Sequence, residues 1–171
     1  IKDALVLTEH IEVLYNPCPN VEQKPELKQK EILFAGTVIP RKGYADLIRG
    51  FAKITTKHID WKVVIAGNGE IDKAKAIAKE CGIEKQVEFL GWAKALAFQR
   101  ASIYCLASDG EGFPMGVLDA WAYGIPCVVT PVGGLPDIVV DGENALVFPV
   151  GDIDGLARQL ERMISDDGLR D

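Results

Sequence analysis

Short apolar runs alternate with helical patterns along most of this 171-residue chain, and this alternation constrains the fold more than any other feature. Several runs are continuously apolar, which is typical of strands covered on both faces. The segments between them carry apolar residues at helical spacing, which predicts amphipathic helices. The sequence therefore predicts an α/β domain, a Rossmann-like parallel sheet with helices on both faces. The strands are predicted at residues 31–36, 61–67, 87–91, 103–108 and 127–129.

Loops that contain glycine or polar residues follow all of these predicted strands. They are residues 37–43, the turn at Asn68, the turn at Gly91, residues 109–114 and residues 132–136. Because parallel strands end at the same edge of a sheet, the loops converge there. Open α/β sheets bind their ligands at this edge, so the sequence predicts a site for a nucleotide-type ligand.

The stretch from residue 109 to residue 137 contains two glycine-rich loops on either side of a helix and a short buried strand. Glu111 lies among glycines in the first loop, and Pro114 is predicted at the first helical position. Free backbone N–H groups and the positive end of a helix dipole favour an anion, above all a phosphate. The alternative is a tight strand–turn–helix connection with a solvated Glu111.

Two adjacent cations, Arg41 and Lys42, stand at the entrance of the helix that follows the first strand. Arg binds phosphate as a fork and Lys binds it as a point charge, so together they can neutralise a diphosphate. The alternative is that both are solvated loop charges.

Composition excludes several classes of protein. With 48% hydrophobic and 26% charged residues, the chain has the composition of one ordinary globular domain. A net charge of −6 argues against nucleic-acid binding, and no apolar run approaches the roughly 20 residues of a membrane span. The chain shows no secretory signal. Its four cysteines are widely spaced, which favours reduced thiols in a cytoplasmic protein over disulfides or a metal site.

The residues of the central stretch resemble the signature of retaining GT-B glycosyltransferases of family 4. That signature is a Glu-x7-Glu pair in an EGFG/P segment, followed by EA-x-A-x-G-x-P-V and then GG-x-P-E. The matching residues are Glu111, Gly112, Phe113, Pro114, Ala120, Ala122, Gly124, Pro126, Val128, Gly133, Gly134 and Pro136. Two departures from the family pattern fall at residues expected in the donor site. Asp119 replaces the second Glu, and Thr37 replaces an Arg that usually follows Gly36.

The resemblance implies the donor-binding, C-terminal domain of a metal-independent enzyme that transfers a sugar from a nucleotide-diphosphate sugar. It implies catalytic roles for Glu111, Lys42 and Arg41. It places Glu111 at the transferred sugar and Asp119 at the ribose, and it calls for no metal and no cofactor beyond the UDP-, GDP- or ADP-sugar. The residues expected to bind this donor are Gly36, Thr37, Asn68, Leu90, Gly91, Gly112, Phe113, Pro114, Met115, Gly116 and Asp119.

The resemblance also predicts how the chain divides. Residues 1–22 are expected to contain a strand, over residues 11–15, and the end of an interdomain connection, while residues 23–171 form the nucleotide-sugar-binding domain. The main partner is then an N-terminal acceptor domain absent from this chain, without which the chain should be inactive. Peripheral membrane association of the whole protein and a role in polysaccharide or glycoconjugate biosynthesis are compatible with this family. The alternatives are a nucleotide-sugar epimerase of the same fold and a non-catalytic nucleotide-binding domain, the latter suggested by Thr37 and Asp119.

Overall fold

The computed structural model describes residues 14, 16–21 and 29–170. Apart from Leu14, the strand predicted over residues 11–15 lies outside the described residues, as does the predicted boundary at residues 22–23. The described residues form a parallel six-stranded sheet in the order β3-β2-β1-β4-β5-β6. The strands are β1 (Glu31–Ala35), β2 (Lys62–Ala66), β3 (Val87–Gly91), β4 (Ile103–Leu106), β5 (Cys127–Val129) and β6 (Leu146–Val147).

Helices cover both faces of this sheet, which confirms the predicted Rossmann-like α/β fold. The helices are α1 (Tyr44–Ala52), α2 (Ile71–Glu80), α3 (Lys94–Arg100), α4 (Met115–Ala122) and α5 (Ile153–Ser165). One buried cluster contains residues of α1, α2 and α5, and the other contains residues of α3 and α4. Successive residues of a strand belong to opposite clusters: Ile32 and Phe34 lie in the first, and Leu33 lies in the second. Both faces are apolar, and this explains the continuous apolar runs.

The strand order reverses between β1 and β4. From β1 the chain proceeds outward through β2 and β3, and it then returns to the other side of β1 to build β4, β5 and β6. At such a reversal, the loops that leave the two central strands diverge to opposite faces and open a crevice. The crevice at the carboxyl ends of β1 and β4 is therefore the place where this fold positions a ligand.

A few element boundaries differ from the sequence prediction. Helix α1 ends at Ala52, and the buried Ile54 packs from the turn that follows. Pro114 occupies the cap position before α4 instead of its first helical position. The second glycine loop runs into a 3-10 turn over Leu135–Asp137. Asp152 caps α5, with its carboxylate accepting a hydrogen bond from the Gly155 N–H at 2.7 Å.

No helix within the described part of the chain is long and apolar enough to cross a membrane.

Candidate functional site

The loop after β1 and the loop after β4 lie side by side at the carboxyl edge. The Asp109 N–H donates to the Arg41 carbonyl at 2.8 Å, and the Arg41 guanidinium donates to the Gly110 carbonyl. Gly43 has a φ of +71°, and a Cβ there would lie 1.8 Å from the Ala107 carbonyl oxygen. Only glycine permits this approach, which brings Arg41 and Lys42 next to the loop that carries Glu111.

Glu111 is held between two cations. Lys42 Nζ donates to Glu111 Oε1 at 2.6 Å, and Arg41 NH1 lies 4.0 Å from Oε2. The hydroxyl of Ser108, which is fully buried, donates to the same Oε1 at 2.8 Å. The Glu111 side chain is only 8% exposed, so the alternative of a solvated Glu111 is wrong. Lys42 is 25% exposed and Arg41 54% exposed, so both cations retain access to a ligand.

The second glycine loop, residues 132–136, packs directly on the Glu111 loop. The Gly134 N–H donates to the Gly112 carbonyl at 3.0 Å, and a Cβ at Gly133 would lie 2.3 Å from that same oxygen. Beneath them the Thr130 hydroxyl donates to the Ser108 carbonyl at 2.7 Å. The two loops therefore form one wall, and Ser108 and Thr130 are supporting residues that the sequence did not single out.

Backbone N–H groups are available along the Glu111 loop. Within the described residues, the N–H groups of Gly110, Glu111 and Gly112 donate to no protein acceptor. These groups precede the positive end of α4 and lie beside Lys42 and Arg41. Together they make an environment that stabilises an anion, as a diphosphate requires.

Asp119 forms a second charged pair, with Lys94, on the α4 side of the crevice. Lys94 Nζ lies 2.5 Å from Asp119 Oδ2, but its direction of approach does not meet the geometry of a hydrogen bond, so the contact is an ion pair. The Asp119 side chain is 16% exposed and that of Lys94 is 54% exposed. Lys94 was not predicted as a site residue.

A cavity of about 140 Å³ opens at the ends of β1 and β2 beside this pair. Gly36 has a φ of +147°, and a Cβ there would meet no atom within 4 Å, so the floor of the cavity is open. Trp92, which is 70% exposed, stands at its side. The lining residues are Ala35, Gly36, Ala66, Trp92, Lys94 and Gly116.

Asn68 and Thr37 lie on the β2 side of the crevice. The Val38 N–H donates to the Asn68 carbonyl at 2.8 Å, which joins the loop after β1 to the turn after β2. Asn68 Oδ1 lies about 4.0 Å from the position of a Cβ on Gly91. Thr37 and Asn68 are both exposed.

The remaining expected donor residues differ in exposure. Leu90 is partly buried and packs against the core on the α3 and α4 side, whereas Gly112 is exposed in the Glu111 loop. Phe113 is half-buried, Pro114 is buried and Met115 is 39% exposed.

A larger surface depression of about 530 Å³ lies at the opposite edge of the sheet. It is formed by residues 165–169 and Arg162, at the end of α5. Arg170 follows it and stacks over Trp61, which precedes β2, so the depression belongs to the amino edge. It contains none of the site residues predicted from the sequence. Across residues 16–21 and 29–170, no three His, Cys, Asp or Glu side chains are grouped to hold a metal ion.

The sequence matches the model of the family described as glycosyl transferases group 1 over residues 20–171. It is 32% identical to the lipopolysaccharide 1,6-galactosyltransferase of Salmonella typhimurium over a gapped alignment of 178 positions, which covers 94% of this chain and 48% of that protein. The apo form of the lipopolysaccharide outer core galactosyltransferase WaaB matches with a TM-score of 0.74 and 31% identity, over 90% of this chain and 46% of that one.

A third similar structure is Anabaena HepE in complex with UDP and glucose. It matches with a TM-score of 0.76 at 20% identity, over 84% of this chain and 40% of that one, which shows a common fold. This chain thus spans less than half the length of each of these three proteins. The parallel sheet is the Rossmann-like α/β domain found in GT-B glycosyltransferases. With the family model matching almost all of the sequence, the chain belongs to the glycosyl transferases group 1 family.

Proposed function

We propose that this chain is the donor-binding domain of a retaining glycosyltransferase of family 4, which transfers a sugar from a nucleoside-diphosphate sugar to an acceptor. The observation that carries this proposal is the cluster of Lys42, Arg41 and Glu111 at the reversal of the strand order. Two accessible cations suit a diphosphate, and a nearly buried carboxylate beside them suits the sugar attached to it. The UDP and glucose bound by HepE and the galactosyltransferase names of two relatives support the same donor class.

The proposed chemistry begins when the bond between the sugar and the diphosphate breaks. Negative charge then grows on the departing diphosphate, and Lys42, Arg41 and the N–H groups of the Glu111 loop stabilise it. These groups are already in place, so we propose that the reaction needs no metal ion. Positive charge grows on the sugar at the same time, and the Glu111 carboxylate lies where it can stabilise that charge. The new bond then forms between the anomeric carbon and an acceptor hydroxyl oxygen with retention at the anomeric carbon, and the hydroxyl proton passes to the departing diphosphate.

We further propose that the acceptor is held by a second domain. The relatives are more than twice as long as this chain, so a comparable protein has room for another domain. The names of two of them point to an acceptor in lipopolysaccharide or a similar glycoconjugate. The 171-residue chain is then expected to bind the donor but to transfer no sugar by itself. Detection of sugar transfer by the purified chain would contradict the need for a second domain.

Calorimetric titration of the purified chain with UDP, GDP and ADP tests the donor site. At least one of the three should bind, and an excess of EDTA should leave its affinity unchanged. Failure of all three to bind would contradict the proposed function. A loss of affinity in EDTA would contradict only the metal-independent mechanism.

A further inference from the structure

The Lys94–Asp119 pair stands beside the 140 Å³ cavity, and its surroundings are unusual for a surface ion pair. Asp119 Oδ2 is buried and accepts no hydrogen bond from the described residues, although Lys94 Nζ lies 2.5 Å away. An isolated buried carboxylate is costly, so Lys94 serves to neutralise it. An ammonium group carries three donors, and a single contact with Asp119 leaves others for a ligand.

The ammonium group of Lys94 also lies over an aromatic ring. Its Nζ lies 5.9 Å from the centre of the Phe98 ring, one helical turn further along α3. Lys94 lines the cavity together with Gly36 and Gly116. Because these two glycines have no side chains, they leave the Lys94 ammonium group accessible to a ligand. Lys94 is therefore the charged side chain that lines the cavity, and its ammonium group contacts the Asp119 carboxylate.

The chemistry of this pair matches a pair of neighbouring hydroxyl groups. A carboxylate accepts hydrogen bonds and an ammonium donates them, whereas each hydroxyl can do both. A phosphate would be repelled by Asp119, so the diphosphate belongs at Lys42 and Arg41. Asp119 lies four residues beyond Met115, which is about 6 Å along the axis of α4. In a nucleoside diphosphate, the group next to the diphosphate is the ribose.

We propose that Lys94 is a specificity-determining residue, which recognises the ribose diol of the donor jointly with Asp119. This inference rests on the proposed function. It also explains how the site tolerates Asp119, whose side chain is one methylene shorter than that of Glu. The carboxylate accepts from one hydroxyl, and the longer Lys94 side chain donates to the oxygen of the other.

The test compares nucleoside diphosphates with and without the diol. UDP, GDP and ADP are titrated into the chain, together with their 2′,3′-dideoxy counterparts and inorganic pyrophosphate. Lys94→Met removes the charge but keeps a long, flexible side chain. If the Met variant fails to fold, Lys94→Gln is used in its place. The matched control is Lys75→Ala, because Lys75 is exposed on α2 with its Nζ 5.7 Å from the Phe89 ring, on the other face of the sheet.

The parent chain should prefer the ribose form over the dideoxy form, and Lys94→Met should lower this preference about tenfold, the loss typical of one charge-assisted hydrogen bond. Pyrophosphate affinity should not change, and Lys75→Ala should behave as the parent does. An unaltered preference in Lys94→Met would overturn the inference and leave the proposed function intact. An equal loss of pyrophosphate affinity would make Lys94 a phosphate ligand and would overturn it too. If the parent bound no nucleoside diphosphate, the proposed function itself would fail.

Discussion

Replacement of Lys42 by Ala should weaken both the fold and the binding of a nucleoside diphosphate. Lys42 makes a 2.6 Å contact with Glu111, a side chain that is 8% exposed, while Lys42 itself is 25% exposed. Exposed ion pairs contribute about 0–1 kcal/mol, and breaking a fully buried pair costs about 3–5 kcal/mol. Glu111 keeps the Ser108 hydrogen bond at 2.8 Å and Arg41 at 4.0 Å. We therefore expect a loss of about 1–2 kcal/mol in the free energy of unfolding, between the two limits.

The effect on binding should be separate and somewhat larger. Loss of one charge-assisted hydrogen bond to a phosphate oxygen costs about 1–3 kcal/mol, which corresponds to roughly 5- to 150-fold in Kd. Calorimetry measures the affinity, and urea unfolding measures the stability of the same sample. The affinity of the parent should also fall with added salt, because the two cations are partly exposed.

The matched control for this experiment is Lys57→Ala. Lys57 lies in the turn after α1 and pairs with Glu161 of α5 at 2.7 Å, and its replacement removes the same charge away from the crevice. Its Kd should equal that of the parent. A parent-like Kd in Lys42→Ala would show that Lys42 does not contact the diphosphate and is only a structural partner of Glu111.

Three further predictions follow from individual residues. Asp119→Ala should weaken nucleoside-diphosphate binding by about 1–3 kcal/mol in calorimetry. Glu111→Ala should change that affinity little, but it should reduce turnover in a transfer assay of the full-length enzyme. The reverse pattern would mean that Glu111 binds the nucleotide and Asp119 acts at the transferred sugar. Gly43→Ala should lower the free energy of unfolding by about 2–4 kcal/mol, because an alanine there has a φ of +71° and clashes with Ala107. A parent-like midpoint in urea unfolding would show that the loop can relax. Burial raises the pKa of Asp46, which means that the ionised Asp46 carboxylate destabilises the folded state. The free energy of unfolding should therefore fall as the pH rises through that pKa. The substitution Asp46→Asn should therefore raise the free energy of unfolding, relative to the parent, more at pH 7 than at pH 3. An equal change at both pH values would contradict this.

The fold could be predicted because its determinants are local in the sequence. Each central strand is a continuous apolar run, because successive residues such as Leu33 and Phe34 are buried on opposite faces of the sheet. The ends of the helices and strands are predicted less accurately, because tertiary packing determines where each element stops. Ile54 continues the apolar stripe of α1, yet it is buried from a turn after the helix has ended.

The convergence of the candidate-site loops could also be predicted, but the ion pairs within the candidate site could not. Convergence of the loops at one edge brought together Lys42 and Glu111, which are 69 residues apart. Lys94 was missed because a lysine at the start of a helix is typical of a solvated face, and its partner Asp119 lies on another helix. The sequence predicts Ser108 only as the end of a strand, since nothing in the sequence shows which carboxylate its hydroxyl contacts.

Chemical-shift mapping of the ¹⁵N-labelled chain with UDP, GDP and ADP shows where on the domain a nucleotide binds. We expect one or more of the three to shift the backbone amide signals of residues 36–43, 91–94 and 109–119, which line the crevice between β1 and β4. The amides of residues 165–169, around the larger depression at the amino edge, should remain unchanged. Shifts confined to residues 165–169, or no shift with any of the three, would contradict the claim that this crevice is a nucleotide-sugar site.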